Sequence, residues 1–106
     1  MILTIAGTGL ADEHIVIGAH LDSILSFRMG ETSRAPGADD DASGVASMTE
    51  ALRAFIASGY RPRRTIHVIG YAAEEVGLRG SQEIARQFKV EGRKVVGVLQ
   101  LDMTNY

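Results

Sequence analysis

The sequence predicts an α/β fold built on a mostly parallel sheet, and two observations lead to this class. Apolar runs rich in β-branched residues alternate with amphipathic stretches, in the order strand, strand, helix, strand, helix, strand. The run His14–His20 is apolar at consecutive positions, which is typical of a strand covered on both faces. This pattern predicts βαβ units joined by right-handed crossovers.

The first half of the chain holds two predicted strands and a long connection. Met1–Ala6 is a short β-branched run, and glycines and acids between residues 7 and 13 indicate a turn. The second strand is predicted at His14–His20. Leu21–Asp41 then forms a long polar loop, and loops of this length within a compact domain usually serve a function.

The second half holds two predicted helices and two strands. Helix Ala42–Ser58 is followed by strand Arg64–Ala73, helix Arg79–Lys89 and strand Val95–Met103. The apolar stripe of the first helix comprises Val45, Met48, Leu52, Phe55 and Ile56. Two helices cover four strands thinly, so we expect either a further portion of the domain or self-association to cover the exposed sheet.

Composition excludes several functions for the 106 residues. The net charge of −2 favours neither nucleic acid nor an anionic membrane surface as a partner. No apolar run approaches the roughly 18 residues of a membrane span, and the apolar N-terminus lacks the basic region of a signal peptide. Cysteine is absent, so any metal must be bound through nitrogen and oxygen.

Acidic and imidazole side chains follow the predicted strands at their carboxyl ends, where ligands bind in open parallel sheets. Three further acids lie in the long loop before the first helix, which is expected to reach the same edge. Because these ends lie at one edge of the sheet, the side chains are predicted to converge on a divalent ion such as zinc. The residues are His20, Asp22, Asp39, Asp40, Asp41, Glu74, Glu75 and Asp102.

Each of these residues also has a simpler explanation when taken singly. His20 resembles an ordinary strand-end histidine, Glu74 and Glu75 suit a helix N-terminus, and Asp40 or Asp41 suits a helix cap. Their joint placement at several strand ends favours the metal site.

The carboxylate of Asp22 lies two residues beyond His20 and is predicted to accept the proton of its far ring nitrogen. His14 and His67 are predicted to be structural.

Four segments resemble the M28 family of zinc-dependent aminopeptidases, and within it the small secreted bacterial leucyl aminopeptidases of Vibrio type. The resemblance extends over nearly the whole chain. The segments are Gly18–Ser23, Ala35–Gly44, Tyr71–Ser81 and Leu99–Tyr106.

The resemblance implies a metalloprotease, a hydrolase that releases the N-terminal residue of peptides with a free N-terminus. It implies two zinc ions that share Asp40 and a water. His20 and Asp102 complete the protein ligands of one zinc, Glu75 binds the other, and Glu74 is the general base for the bridging water.

The resemblance further implies that Asp22 is the catalytic partner of His20 and that the Asp40–Asp41 peptide is cis. The second zinc of the family takes a histidine from further downstream, and neither His14 nor His67 is placed to replace it. This leaves open whether the chain binds two zinc ions or one, and whether it is active alone.

The fold implied is the three-layer α/β/α sheet of zinc exopeptidases, which is phosphorylase/hydrolase-like. Strand order 1-3-2-4 is expected, with the first strand antiparallel and the helices on opposite faces. Residues 1–106 would be the N-terminal and central part of the catalytic domain, and the resemblance implies a secreted or periplasmic location.

Three other functions remain alternatives: a glutaminyl cyclase-like enzyme, a metallo-carboxypeptidase, and a non-catalytic metal-binding or scaffold domain.

Overall fold

The computed structural model describes residues 1–26 and 28–105, and this part of the chain contains four strands and two helices. Phe27 and Tyr106, the last residue of the fourth family-like segment, lie outside the described residues. The elements are β1 (Ile2–Ile5), β2 (Leu10–His20), α1 (Ala42–Ala57), β3 (Arg64–Tyr71), α2 (Arg79–Val90) and β4 (Lys94–Gln100).

The strands form one sheet in the order β1-β3-β2-β4, which confirms the predicted order. β1 pairs with β3 in the antiparallel sense, and β2 pairs with β3 and β4 in the parallel sense. His20 is paired with Tyr71 and Gly18 with Gln100, so the carboxyl ends of β2, β3 and β4 lie at the same edge.

The helices cover opposite faces of the sheet, as expected for three layers. Met48 of α1 packs with Ala19 of β2 and Val68 of β3. Phe88 of α2 packs with Val16 of β2 and with Ile69, the residue after Val68 in β3. Because side chains alternate along a strand, these are the two faces of one sheet.

The predicted start of β2 was wrong. The strand begins at Leu10, so the acids that indicated a turn belong to a strand. Glu13 is stabilised there by ion pairs across the sheet, with Arg64 at 2.7 Å and Lys94 at 2.7 Å. A register shift between Leu10 and His14 accommodates the irregular sequence.

Two further boundaries differ from the prediction by two residues or more. β3 ends at Tyr71 because Ala73 adopts a positive φ of 56° and turns the chain towards α2. β4 ends at Gln100 rather than Met103.

Burial departs from the predicted pattern at Ile56 and agrees with it in β4. Ile56 was expected in the apolar stripe of α1, but it lies in the last turn of the helix and is 60% exposed. Val96, Val98 and Leu99 of β4 are exposed, which agrees with the expected thin cover of the sheet. Among the described residues, no helix has the length and apolarity that a membrane crossing would need.

Candidate metal centre

His20 ends the central strand β2 and is almost fully buried, with 1% of its surface exposed. Its Nδ1 lies 3.0 Å from the backbone carbonyl oxygen of Asp22. A carbonyl can only accept a hydrogen bond, so Nδ1 must carry the proton. In the neutral ring, Nε2 is therefore the atom with the free lone pair.

That Nε2 atom faces three carboxylates, which also act only as acceptors when ionised. It lies 2.9 Å from Asp40 Oδ1, 3.9 Å from Asp102 Oδ2 and 3.9 Å from Glu74 Oε2. The nitrogen and the carboxylate oxygens are all acceptors, and a neutral His20 ring has no hydrogen atom on Nε2 to place between them. Such a group needs either a proton on Nε2 or a bound cation.

The electrostatics of the group are consistent with this need. Burial lowers the pKa of His20, but the hydrogen bond to Asp22 and the surrounding charges of Asp41, Glu74 and Asp102 raise it overall. Burial is the largest cause that raises the pKa of both Glu74 and Asp102, and repulsion from neighbouring carboxylates adds to it. The site therefore attracts positive charge.

His20, Asp40 and Asp102 fit a single divalent ion. Their ligand atoms all lie within 4.8 Å of one another. Ligands at the metal distances typical of zinc lie roughly 3.4 Å apart in a tetrahedral site, and the separations from Nε2 bracket that value. One imidazole nitrogen and two carboxylate oxygens form a donor set suited to zinc. These three residues, predicted from two strand ends and from the loop before α1, thus form a cluster in space.

Asp22 differs from its predicted arrangement. The backbone carbonyl, not the carboxylate, accepts from His20 Nδ1, and Asp22 Oδ1 is 3.7 Å from that nitrogen. The carboxylate instead accepts from the amides of Glu74 at 3.0 Å and Glu75 at 3.1 Å, which come within its reach where β3 ends. Burial raises the pKa of Asp22, but these hydrogen bonds outweigh it and lower the pKa overall.

Glu75 lies outside the group formed by His20, Asp40 and Asp102. Its Oε1 accepts from the backbone amide of Ile24 at 3.3 Å. Asp22 therefore fixes the backbone of both glutamates, while their carboxylates have different surroundings.

Asp41 was predicted as a member of the metal group or as a helix cap; it caps α1 and lies outside the group formed by His20, Asp40 and Asp102. It is 2% exposed, its side chain caps α1, and it also bonds to segments distant in the sequence. The Asp40–Asp41 peptide bond is cis, as the resemblance implied.

The other two histidines bond to each other, away from this group. His14 Nδ1 and His67 Nε2 lie 2.9 Å apart, and Thr4 Oγ1 lies 3.0 Å from His67 Nδ1. These contacts agree with the structural role predicted for both.

Comparison with known proteins places this chain in a family. The model of peptidase family M28 matches residues 1–106. Leucine aminopeptidase 1 of Ajellomyces capsulatus is 45% identical over 103 residues, covering 92% of this chain and 26% of the relative.

Two solved structures from Legionella pneumophila share the fold. LapB has a TM-score of 0.80 at 38% identity, with 96% of this chain and 26% of that chain covered. The LapA aminopeptidase has a TM-score of 0.72 at 46% identity, with coverage of 86% and 23%.

The chain spans about a quarter of the length of these relatives. None of them tests the narrower resemblance to Vibrio-type enzymes, which stays a prediction. The match of the family model across the whole sequence shows that the chain belongs to peptidase family M28.

Proposed function

We propose that this chain holds a zinc ion between His20, Asp40 and Asp102, and that it forms the metal-binding part of an aminopeptidase. One observation carries the proposal. The Nε2 lone pair of the buried His20 ring faces carboxylate oxygens, and in the neutral ring no hydrogen atom lies between them. A histidine that donates its other N–H to a backbone carbonyl is the usual arrangement of a metal ligand.

The substrate class follows from the relatives. Both LapA and the fungal relative are named aminopeptidases. We therefore propose that the substrate is a peptide with a free N-terminus and that the reaction is hydrolysis of the first peptide bond. The secreted or periplasmic location implied by the resemblance remains a prediction.

A bound zinc ion would supply Lewis acidity, which lowers the pKa of a water and polarises a carbonyl. Glu74 would accept the proton of the attacking water and pass it to the leaving amine. The raised pKa of Glu74 suits this exchange, because a base must also be able to act as an acid.

The remaining carboxylates would bind metal ions or hold the glutamates in place. Asp40 is 47% exposed at its side chain, so one oxygen can face His20 while the other faces solvent and a second ion. We propose that Glu75 is a ligand of that second ion. Asp22 would keep Glu74 and Glu75 in place through their amides.

Calorimetric titration with zinc tests the metal proposal. The parent chain should release or absorb heat at a stoichiometry of at least one, and Asp40→Ala should abolish it. Asp12→Asn, which removes an acid from an exposed strand position, is the matched control and should bind like the parent. Absence of heat from the parent would favour a non-catalytic scaffold.

Hydrolysis assays test the reaction. Release of leucine from a leucine anilide by zinc-loaded protein would support the aminopeptidase. Cyclisation of N-terminal glutamine in place of that release would instead indicate the glutaminyl cyclase-like enzyme.

A further inference from the structure

Asp41 is a buried acid with no part in the proposed metal binding or catalysis, and its carboxylate accepts three backbone hydrogen bonds. Oδ2 accepts from the amide of His20 at 2.9 Å. Oδ1 accepts from Gly44 at 3.1 Å and from Met103 at 3.3 Å. Hydrogen bonds to an ionised acceptor are stronger than neutral ones, so this carboxylate holds three backbone positions firmly.

The three donors lie in the segments that carry the metal group. His20 is itself a member, Met103 directly follows Asp102, and Gly44 lies in the first turn of α1, just after Asp40. One buried carboxylate thus joins the end of β2, the start of α1 and the segment that follows β4.

Gly44 provides the space for this junction. A Cβ atom at position 44 would overlap Asp41 Oδ1 and lie 2.6 Å from the carbonyl oxygen of Leu101. Neither the capping carboxylate nor the backbone after β4 could approach α1 so closely if residue 44 carried a side chain.

Ser43 adds a second link between the same two segments. Its hydroxyl accepts from the amide of Thr104 at 2.9 Å and donates to the carbonyl of Asp39 at 2.7 Å. The segment that carries Asp102 is therefore bound to the start of α1 at two adjacent points.

We propose that Asp41 is a positioning residue that sets the spacing of His20, Asp40 and Asp102 without binding the metal itself. The role rests on the proposed function, because it matters only if these three residues share an ion. The hydrogen bonds of Asp41 do not depend on the proposed function, because they can be measured in the metal-free protein.

Asp41→Asn is the sharpest substitution. It keeps the shape of the side chain but replaces one acceptor oxygen with a donor, so at least one of the three amides faces another N–H group. Asp12→Asn is the matched control for loss of one negative charge. Gly44→Ala perturbs the same junction while it keeps every acidic residue.

Cobalt binding, followed by visible absorption, provides the first measurement. Its bands report coordination geometry, so a merely destabilised protein would lose amplitude without a change in band shape. Asp41→Asn should bind Co²⁺ at least tenfold more weakly than the parent and show shifted bands at saturation, and Gly44→Ala should change in the same direction. Asp12→Asn should match the parent. Unchanged affinity and unchanged bands in Asp41→Asn would overturn the proposal.

Amide hydrogen exchange on the metal-free protein separates this proposal from the proposed function. In Asp41→Asn the amide of Met103 should exchange at least tenfold faster than in the parent, while that of Ile69 in β3 stays unchanged. If the parent binds no cobalt, the proposed function fails, and the exchange result still decides the role of Asp41.

A folding failure does not remove the test. If Asp41→Asn does not fold, Gly44→Ala decides by the same two measurements. If neither variant folds, amide hydrogen exchange in the parent protein tests the hydrogen bond of Asp41. Protection of the Met103 amide above tenfold supports the hydrogen bond to Asp41, and exchange at the rate of an unstructured peptide contradicts it.

Discussion

At the scale of single residues, the adjacent acids Glu74 and Glu75 have different surroundings. Glu74 Oε2 lies 3.9 Å from His20 Nε2, and burial together with nearby carboxylates raises its pKa. Glu75 is held by the amide of Ile24. The two side chains are therefore expected to respond differently to substitution.

Glu74→Gln should retain zinc with an affinity within about threefold of the parent, because Glu74 is not a proposed ligand. In a preparation that hydrolyses leucine anilide, turnover should fall by about 10²–10⁴, the usual contribution of a general base. Glu31→Gln, at an exposed loop position, is the control for both measurements. Loss of zinc in Glu74→Gln but not in Glu75→Gln would reverse the two assignments.

Gly80 shows how closely α2 approaches the segment after β3, which carries the two glutamates. A Cβ atom there would overlap the carbonyl oxygen of Ala72 and lie 2.9 Å from its nitrogen. Backbone atoms cannot move aside as a flexible side chain can. Gly80→Ala should therefore reduce the free energy of unfolding by about 1–3 kcal/mol, the usual cost of overpacking.

Gly97→Ala is the control for that measurement, because no atom lies within 4 Å of a Cβ at position 97. Its free energy of unfolding, determined by urea titration, should lie within about 0.5 kcal/mol of the parent. Equal stability of the two variants would contradict the close approach of α2.

The metal group was predictable from the sequence, but its supports were not. His20 and Asp102 were candidates because the carboxyl ends of parallel strands share an edge, and Asp40 because its loop was expected to reach that edge. The family resemblance then singled out these three as ligands of one ion. Asp41 was predicted as a helix cap or a member of the metal group, and its bond to Met103 was missed because it spans 62 positions and leaves no trace in the local pattern. The carboxylate of Asp22 was assigned to the wrong partner for a related reason, because Glu74 reaches it only in the folded chain.

At the scale of elements, β1, β2 and α2 enclose the polar side chain of His67. It is 1% exposed and is bonded to Thr4 of β1 and His14 of β2. From α2, Phe88 packs against its ring, and Arg93, which follows α2, lies 3.4 Å away. Burial is the largest cause that lowers the pKa of His67, and the charges of Arg93 and His14 lower it further.

This lowered pKa predicts a loss of stability in acid. Between the folded pKa and the ordinary value of about 6.5, the unfolded chain binds more protons at His67 than the folded chain. The stabilisation is therefore complete above about pH 6.5 and declines as the pH falls through that window. Urea titrations between pH 5 and 8 should show that His67→Gln loses less stability on acidification than the parent.

The comparison isolates His67, because His20 is present in both proteins. The raised pKa of His20 acts in the opposite sense: it contributes stability at low pH that is lost as the pH rises. An equal acid dependence in the parent and in His67→Gln would contradict the account of the buried histidine.

Element identity was predicted better than element boundaries. All strands and helices of the described residues occur where the sequence indicated them, because their apolar periodicity is strong. The start of β2 was missed because Glu13 disfavours a strand locally, yet ion pairs with β3 and β4 stabilise it there. Ile56 fits the helical period but lies in the last turn of α1 and is exposed.

At the scale of the whole molecule, the proposed metal would join the end of β2, the loop before α1 and the segment after β4. A ligand that binds only the folded state stabilises it, by about 2.7 kcal/mol at a hundredfold excess over its Kd. Zinc at that excess should raise the Tm of the parent, and EDTA should reverse the rise. Asp40→Ala should show no such shift, and an equal rise in both proteins would mean that zinc acts elsewhere.

The order of the strands came from the family resemblance, since composition and periodicity give no strand order by themselves. The valines of β4 are exposed, which agrees with the thin helical cover expected from the sequence. We propose that a further portion of the domain or a second copy covers them.

The central claim is that His20, Asp40 and Asp102 bind one ion, and anomalous diffraction at the zinc edge from zinc-soaked crystals tests it most directly. The account predicts a strong peak roughly 2.0–2.2 Å from His20 Nε2 and from one carboxylate oxygen each of Asp40 and Asp102. A peak between His14 and His67 instead, or no peak beside His20 in protein saturated with zinc, would contradict it.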